Sequence, residues 1–207
     1  MGVDGQAVKR RCARFCELTG GWRVRQVEHM KHVIALLALT FPAFADCPAV
    51  PDHSARYYEL LSDMRAATSE NEARRLMNHA WEIWTDAPDD IAQDLLDSAM
   101  RRIREADYGG ALAPLADLIA YCPDYAEGFN QRAFVHFLLT DYELALVDLE
   151  TTLRLFPDHL AAQSGMVLTL ISLGRNDEAQ RVLREAMTLN PWLPERRLLE
   201  EPDGEPL

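Results

Sequence analysis

Three prolines, Pro123, Pro157 and Pro191, stand 34 residues apart, and other columns keep the same interval. Ala111, Ala145 and Ala179 form one column, and Leu115, Leu149 and Leu183 another. Ala99, Ala133 and Val167 hold the frame in the segments before them, with no insertion between copies. The stretches "ADYGGALAPLADLIAYCPD", "TDYELALVDLETTLRLFPD" and "GRNDEAQRVLREAMTLNPW" are three versions of one unit. A strict period of this length restricts a chain to an array. Each copy is one supersecondary unit that cannot bury its apolar face alone and must stack on its neighbours.

Within the middle copy, Leu144, Ala145, Val147, Leu149, Thr152, Leu153 and Leu155 recur at helical and not strand spacing. Asp141 stands where a side-chain acceptor caps a helix, and Pro157 ends it. The small Ala145 on the buried face lets a neighbouring helix come close. The unit is thus a helix bounded by a cap and a breaker, preceded by another apolar segment in the same copy.

The period and its small-residue columns resemble the tetratricopeptide repeat. The copies divide as 92–125, 126–159 and 160–193. The resemblance rests on Ala99, Tyr108, Ala111 and Pro123 in the first copy and on Ala133, Tyr142, Ala145 and Pro157 in the second. In the third it rests on Gly174, Ala179, Ala186 and Pro191. Val167 replaces the usual small residue, and Leu115, Leu149 and Leu183 replace the usual aromatic of the second helix. The resemblance implies an all-α fold, a right-handed superhelix of antiparallel helix pairs whose first helices line a concave groove. Carried onto this chain, the groove positions are Gln93, Leu96, Met100, Ile103 and Arg104, then Glu127, Asn130, Phe134, Phe137 and Leu138, then Ala161, Ser164, Leu168, Ile171 and Ser172. Met100, Phe134 and Leu168 are also expected to pack between helices. Relatives that grip a peptide's carboxyl terminus use clustered lysines, arginines and asparagines; here Arg104 is the only base and Asn130 the only asparagine. The groove therefore favours an apolar segment, or a helix laid into it.

The amino end reads differently. "MKHVIALLALTFPAFADC" joins a short basic start, an apolar run over Val33–Phe41 and the small-x-small ending Ala43-Phe44-Ala45. Residues 30–45 are similar to a secretory signal peptide cut after Ala45, with a run too short for a stable membrane span. Residues 1–29 are then either a long basic leader or a wrongly placed gene start, with translation beginning at Met30. Asp46 beside Cys47 does not fit a lipid anchor. Export leaves two cysteines in an oxidising compartment, Cys47 and Cys122; a disulfide and two free thiols are both open readings.

Residues 46–91 hold a linker and two helical patterns, "SARYYELLSDMRAAT" and "SENEARRLMNHAWEIWTDAPD". Ser69 and Glu72 have capping-box spacing. This pair is expected to act as a degenerate repeat covering the exposed front of the stack, with Trp81 and Trp84 packed on the first repeat. Residues 194–207 hold a short cap between Pro194 and Pro202 and an acidic tail. Leu198 and Leu199 are expected to bury against Val182 and Met187. That leaves an apolar strip of Val182, Ala186 and Met187 for self-association.

From Asp46 onward, 14 arginines and no lysine face 30 acidic residues, a net charge of −16. Such a charge disfavours nucleic acid and anionic membranes as partners. No phosphate loop or zinc-protease pattern is present, and His53, His79, His136 and His159 are scattered, as are Ser98 and Ser164. The sequence therefore points to no cofactor, no metal and no enzyme. It points to a periplasmic module that presents its groove to another envelope or secreted protein. The alternatives are a structural, self-associating solenoid and an accessory subunit of an envelope enzyme.

Overall fold

The computed structural model describes residues 46–200. The amino-terminal extension, the signal-peptide segment and the last seven residues lie outside the described residues. Eight α-helices follow an extended strap that ends at His53: α1 Ser54–Ala66, α2 Glu70–Trp84, α3 Asp90–Arg104, α4 Tyr108–Tyr121, α5 Ala126–Leu138, α6 Tyr142–Leu155, α7 Leu160–Ser172 and α8 Asn176–Leu189. A 3-10 helix, Pro194–Leu198, closes the described chain, and there is no strand among the described residues.

Helices α3 to α8 are the six repeat helices, paired as α3–α4, α5–α6 and α7–α8, with α4 on α5 and α6 on α7. The repeating columns are the contact points. Ala111, Ala145 and Ala179 are each 0% exposed, as are Leu115 and Leu183. Each pair turns at one repeat position, Ala106, Thr140 or Gly174, with φ of 59°, 65° and 72°. The following N–H reaches back to the carbonyl five residues earlier: Asp107 to Arg102, Asp141 to His136, Arg175 to Leu170. This left-handed closure suits glycine, which only the third copy supplies.

Caps follow local chemistry. Asp89 accepts from the Ala92 N–H at 2.9 Å and Asp107 from Gly110 at 3.1 Å. Asp141 occupies its expected place before α6 but makes no side-chain cap bond. Ser69 caps α2 through the Glu72 N–H, while the Glu72 carboxylate accepts from Thr68. Leu144 and Val147, part of the apolar pattern of α6, face outward and are 53% and 58% exposed. Seven apolar residues in one helix exceed what a single buried stripe holds.

The leading pair departs from expectation. α2 and α3 are consecutive but do not pack together; α1 packs against α2 and against α8. Tyr57, Leu60, Leu61 and Met64 of α1 share a core with Leu160, Ala186 and Leu193. Tyr57 donates to the Asp158 carbonyl at 2.6 Å, Trp192 Nε1 to the Ala67 carbonyl at 3.0 Å, and Arg196 pairs with Glu70 at 2.8 Å. So the pair does not cover the front of the stack. It runs along the loops that join successive repeats and clasps the last one. Of the apolar strip expected on α8, Ala186 is 0% exposed in the core shared with α1, while Val182 and Met187 are half-buried against the core of the second and third repeats. Leu198 and Leu199 stay 40% and 37% exposed, since the tail runs past α8 through bonds between Gln180 and the backbone of Leu198 and Glu200.

Candidate functional site

The clasp changes the groove. Leu96, expected on the concave face, is fully buried in the first-repeat core, with Met100 and Ile103 packed beside it. Glu127, also expected there, is buried. Its carboxylate accepts from Asn130 Nδ2 at 3.0 Å, from Gln131 Nε2, and from His159 Nε2 at 3.0 Å. His159 accepts the Ala162 N–H at Nδ1, so its ring proton sits on Nε2 and is donated to Glu127. The Trp84 ring stacks on His159 at 4.3 Å between centroids. Trp84 therefore packs on the junction of the second and third repeats; its contact with the first repeat's end is the Tyr125 hydroxyl, which donates to the Trp84 carbonyl at 2.7 Å. A buried carboxylate with three donors is satisfied and is structural in character. The sequence signal for it was slight: Glu127 and His159 stand 32 residues apart, close to one repeat period.

Of the other groove positions, Gln93 donates to Asp97, and Arg104 and Ser172 are exposed at helix ends. Ser164 donates to Glu195 at 3.2 Å, and Leu138 is half-buried. Phe134 and Ile171 are 47% and 36% exposed.

Five expected residues come together. Asn130, Phe134 and Phe137 of α5 and Ala161 and Leu168 of α7 line one cavity of about 230 Å³. Gly165 and Ala133 line it with them, and Trp81 from α2 joins from the clasp. Gly165 contributes closeness: a Cβ there would lie 3.2 Å from a Leu149 methyl, so α7 sits tight on α6. Among the described residues, no charged side chain lines the cavity. Trp81, read from the sequence as a core residue, is 38% exposed and overhangs the opening. The cavity's polar edge is made by Asn130 and Gln131, whose amide nitrogens donate to Glu127, and by the Thr169 hydroxyl, which donates to the Gly165 carbonyl.

Elsewhere, Cys47 and Cys122 are joined by a disulfide, with Cα atoms 5.2 Å apart, which ties the strap to the end of α4. Arg132 grips the buried Asp148 with two bonds of 2.7 Å between α5 and α6. The guanidinium's pKa is raised by that carboxylate. The Tyr121 hydroxyl donates to Asp89 at 2.7 Å. The Ala92 N–H and this hydroxyl hold Asp89 below the usual carboxylate range. Among the described residues, no cluster of three or more metal-ligating side chains forms, and no helix is long and apolar enough to cross a membrane.

Residues 137–191 match the tetratricopeptide repeat family model. A TPR repeat-containing protein of Rhizobium etli is 31% identical over 137 residues, covering 66% of this chain. The chain spans 63% of that relative's length. The first TPR domain of Spaghetti (RPAP3), solved with the HSP90 peptide SRMEEVD, superposes with a TM-score of 0.51 at 19% identity, covering 52% of this chain and 85% of that one. The TPR2B domain of yeast Sti1, solved in a complex with pHsp70, gives 0.50 at 18% identity over 53% and 90%. Residues 137–191 thus match the tetratricopeptide repeat, and the described residues form an all-α solenoid of antiparallel helix pairs.

Proposed function

We propose that this chain is a protein-interaction module of the periplasm, whose groove holds an apolar segment of another envelope or secreted protein. One observation carries the reading: the part of the groove left open by the clasp is an uncharged cavity of about 230 Å³ walled by Trp81, Phe134, Phe137 and Leu168. The clasp shortens the groove, so the segment is brief and anchored by one large side chain. The leader ending in Ala43-Phe44-Ala45 and the disulfide between Cys47 and Cys122 support an exported, oxidising setting.

Two experiments test this. A photo-crosslinking residue at Phe134 should trap a discrete partner in the envelope fraction, while the same residue at Arg181 on α8 should not. Filling the cavity by Ala161→Trp should abolish the crosslink without lowering the melting point by more than a few degrees. Persistence of the crosslink in that variant refutes the cavity as the site. Amino-terminal sequencing of the chain recovered from cells should begin at Asp46; a cytosolic chain beginning at Met1 refutes export.

A further inference from the structure

The second helices of the three copies, α4, α6 and α8, can be compared position by position through the 34-residue offset. On α8 the outward positions are Glu178, Arg181 and Glu185, as a water-facing helix requires. The same positions on α6 are Leu144, Val147 and Thr151. On α4 they are Gly110, Ala113 and Asp117, flanked by exposed Ala116 and Ala120. Val147 and Leu144, 58% and 53% exposed, leave an apolar ridge in water beside a flat surface of small residues. Asp117 is the only charged residue of α4's fourteen. In a chain of net charge −12, this is a face on which a second acidic molecule meets little repulsion.

We propose that the outer face of α4 and α6 binds a second copy of this chain. The face is self-complementary. A two-fold axis running along these helices lays α6 of one copy over α4 of the other, parallel, and does the same in reverse. The ridge of Leu144 and Val147 then rests on the alanines of α4. The repeat offset brings Arg154 above Ala120, one turn from Asp117. Both residues are exposed, and neither forms an ion pair among the described residues. Two symmetry-related Arg154–Asp117 pairs would fix the register. Glu143 and Glu150 of α6 would meet the small residues of α4, not another acid. The surface is modest, which places the dimer at the weak end of specific interfaces. It lies on the outer helices, apart from the cavity under Trp81, so it stands or falls separately from the groove reading.

The test is sedimentation of the chain as recovered from cells expressing the full sequence, from about 1 to 100 μM, a span that covers weak specific association. A dimer should fill in toward the top of that range. The double variant Leu144→Glu, Val147→Arg installs the residues that copy three carries in the same columns, so the fold tolerates it. It should raise the dimer dissociation constant at least about tenfold. Asp117→Arg should weaken the dimer, and adding Arg154→Asp should restore it. A monomer throughout the range overturns the proposal, as does a dimer unchanged by the double variant.

Discussion

Replacing Cys47 by serine measures what the strap's disulfide contributes. The bond closes a loop across a sequence separation of 75 residues, which encloses α1 to α4. Loop-closure entropy for that length gives about 4.5 kcal/mol at 25 °C. The substitution is suited to isolating the cross-link. Cys122, 1% exposed, stays in the core as a small apolar side chain, so no cavity opens. Cys47 is only half-buried, and serine fits there. For a folded part of about 155 residues, each kcal/mol moves the midpoint by about 2–4 °C, so the variant should melt about 9–18 °C lower. Differential scanning calorimetry of the oxidised parent and the variant reads this directly. Reductant should lower the parent toward the variant and leave the variant unchanged. A shift below about 3 °C, far short of the loop-entropy figure, would refute the reasoning. So would a peptide map without a Cys47–Cys122 link.

Other outcomes follow from the same packing. Trp84→Ala removes a 3% exposed ring stacked on His159 and should cost about 3–5 kcal/mol, whereas Trp81→Ala, at the cavity mouth, should cost less than about 1; urea titration separates them. Ala145→Trp overfills a position with 0% exposure and should destabilise by about 1–3 kcal/mol or more, seen as a lower melting midpoint. Ala106→Gly relieves a φ of 59° and should stabilise by up to about 1 kcal/mol; a loss would mean the turn is not strained. Asp89, Glu70 and Glu178 have carboxyl pKa values lowered by the Ala92 N–H, by Arg196 and by Arg175 respectively. A lowered folded-state value gives stability that is complete above the unfolded value, about 4, and lost as pH falls through the folded one. The contribution of these three carboxylates to the denaturation midpoint should therefore be flat from pH 7 to 5 and fall below about 4.

The repeat columns were legible because each reports one packing event made three times: Ala111, Ala145 and Ala179 are the same helix contact. The helices of the leading pair were legible as well, from apolar spacing and the Ser69 cap. Their docking was not. An amphipathic helix announces that it needs a partner, and nothing local says which. The bonds that decide it join Tyr57 to Asp158 and Ala67 to Trp192, across 101 and 125 residues. The groove suffered from the same gap. Regular repeat geometry places Glu127 on the open face, but the clasp brings Trp84 onto His159 and seals it. The cavity on α5 and α7 stays open because the clasp stops short of it, at Trp81.

The contact between α1 and α8 alters how such an array comes apart. In an open solenoid each copy touches only its neighbours, so end copies loosen first and unfolding can spread from either tip. Here the first helix of the described chain is part of the same core as the last repeat, through Met64, Leu61 and Ala186. The tip at the third repeat is therefore not free. Detaching the third repeat uncovers α1, and detaching α1 uncovers the third repeat. The third repeat is thus held on both sides while the front of the first stays open, so amide hydrogens of α8 should exchange as slowly as those of α5 and more slowly than those of α3.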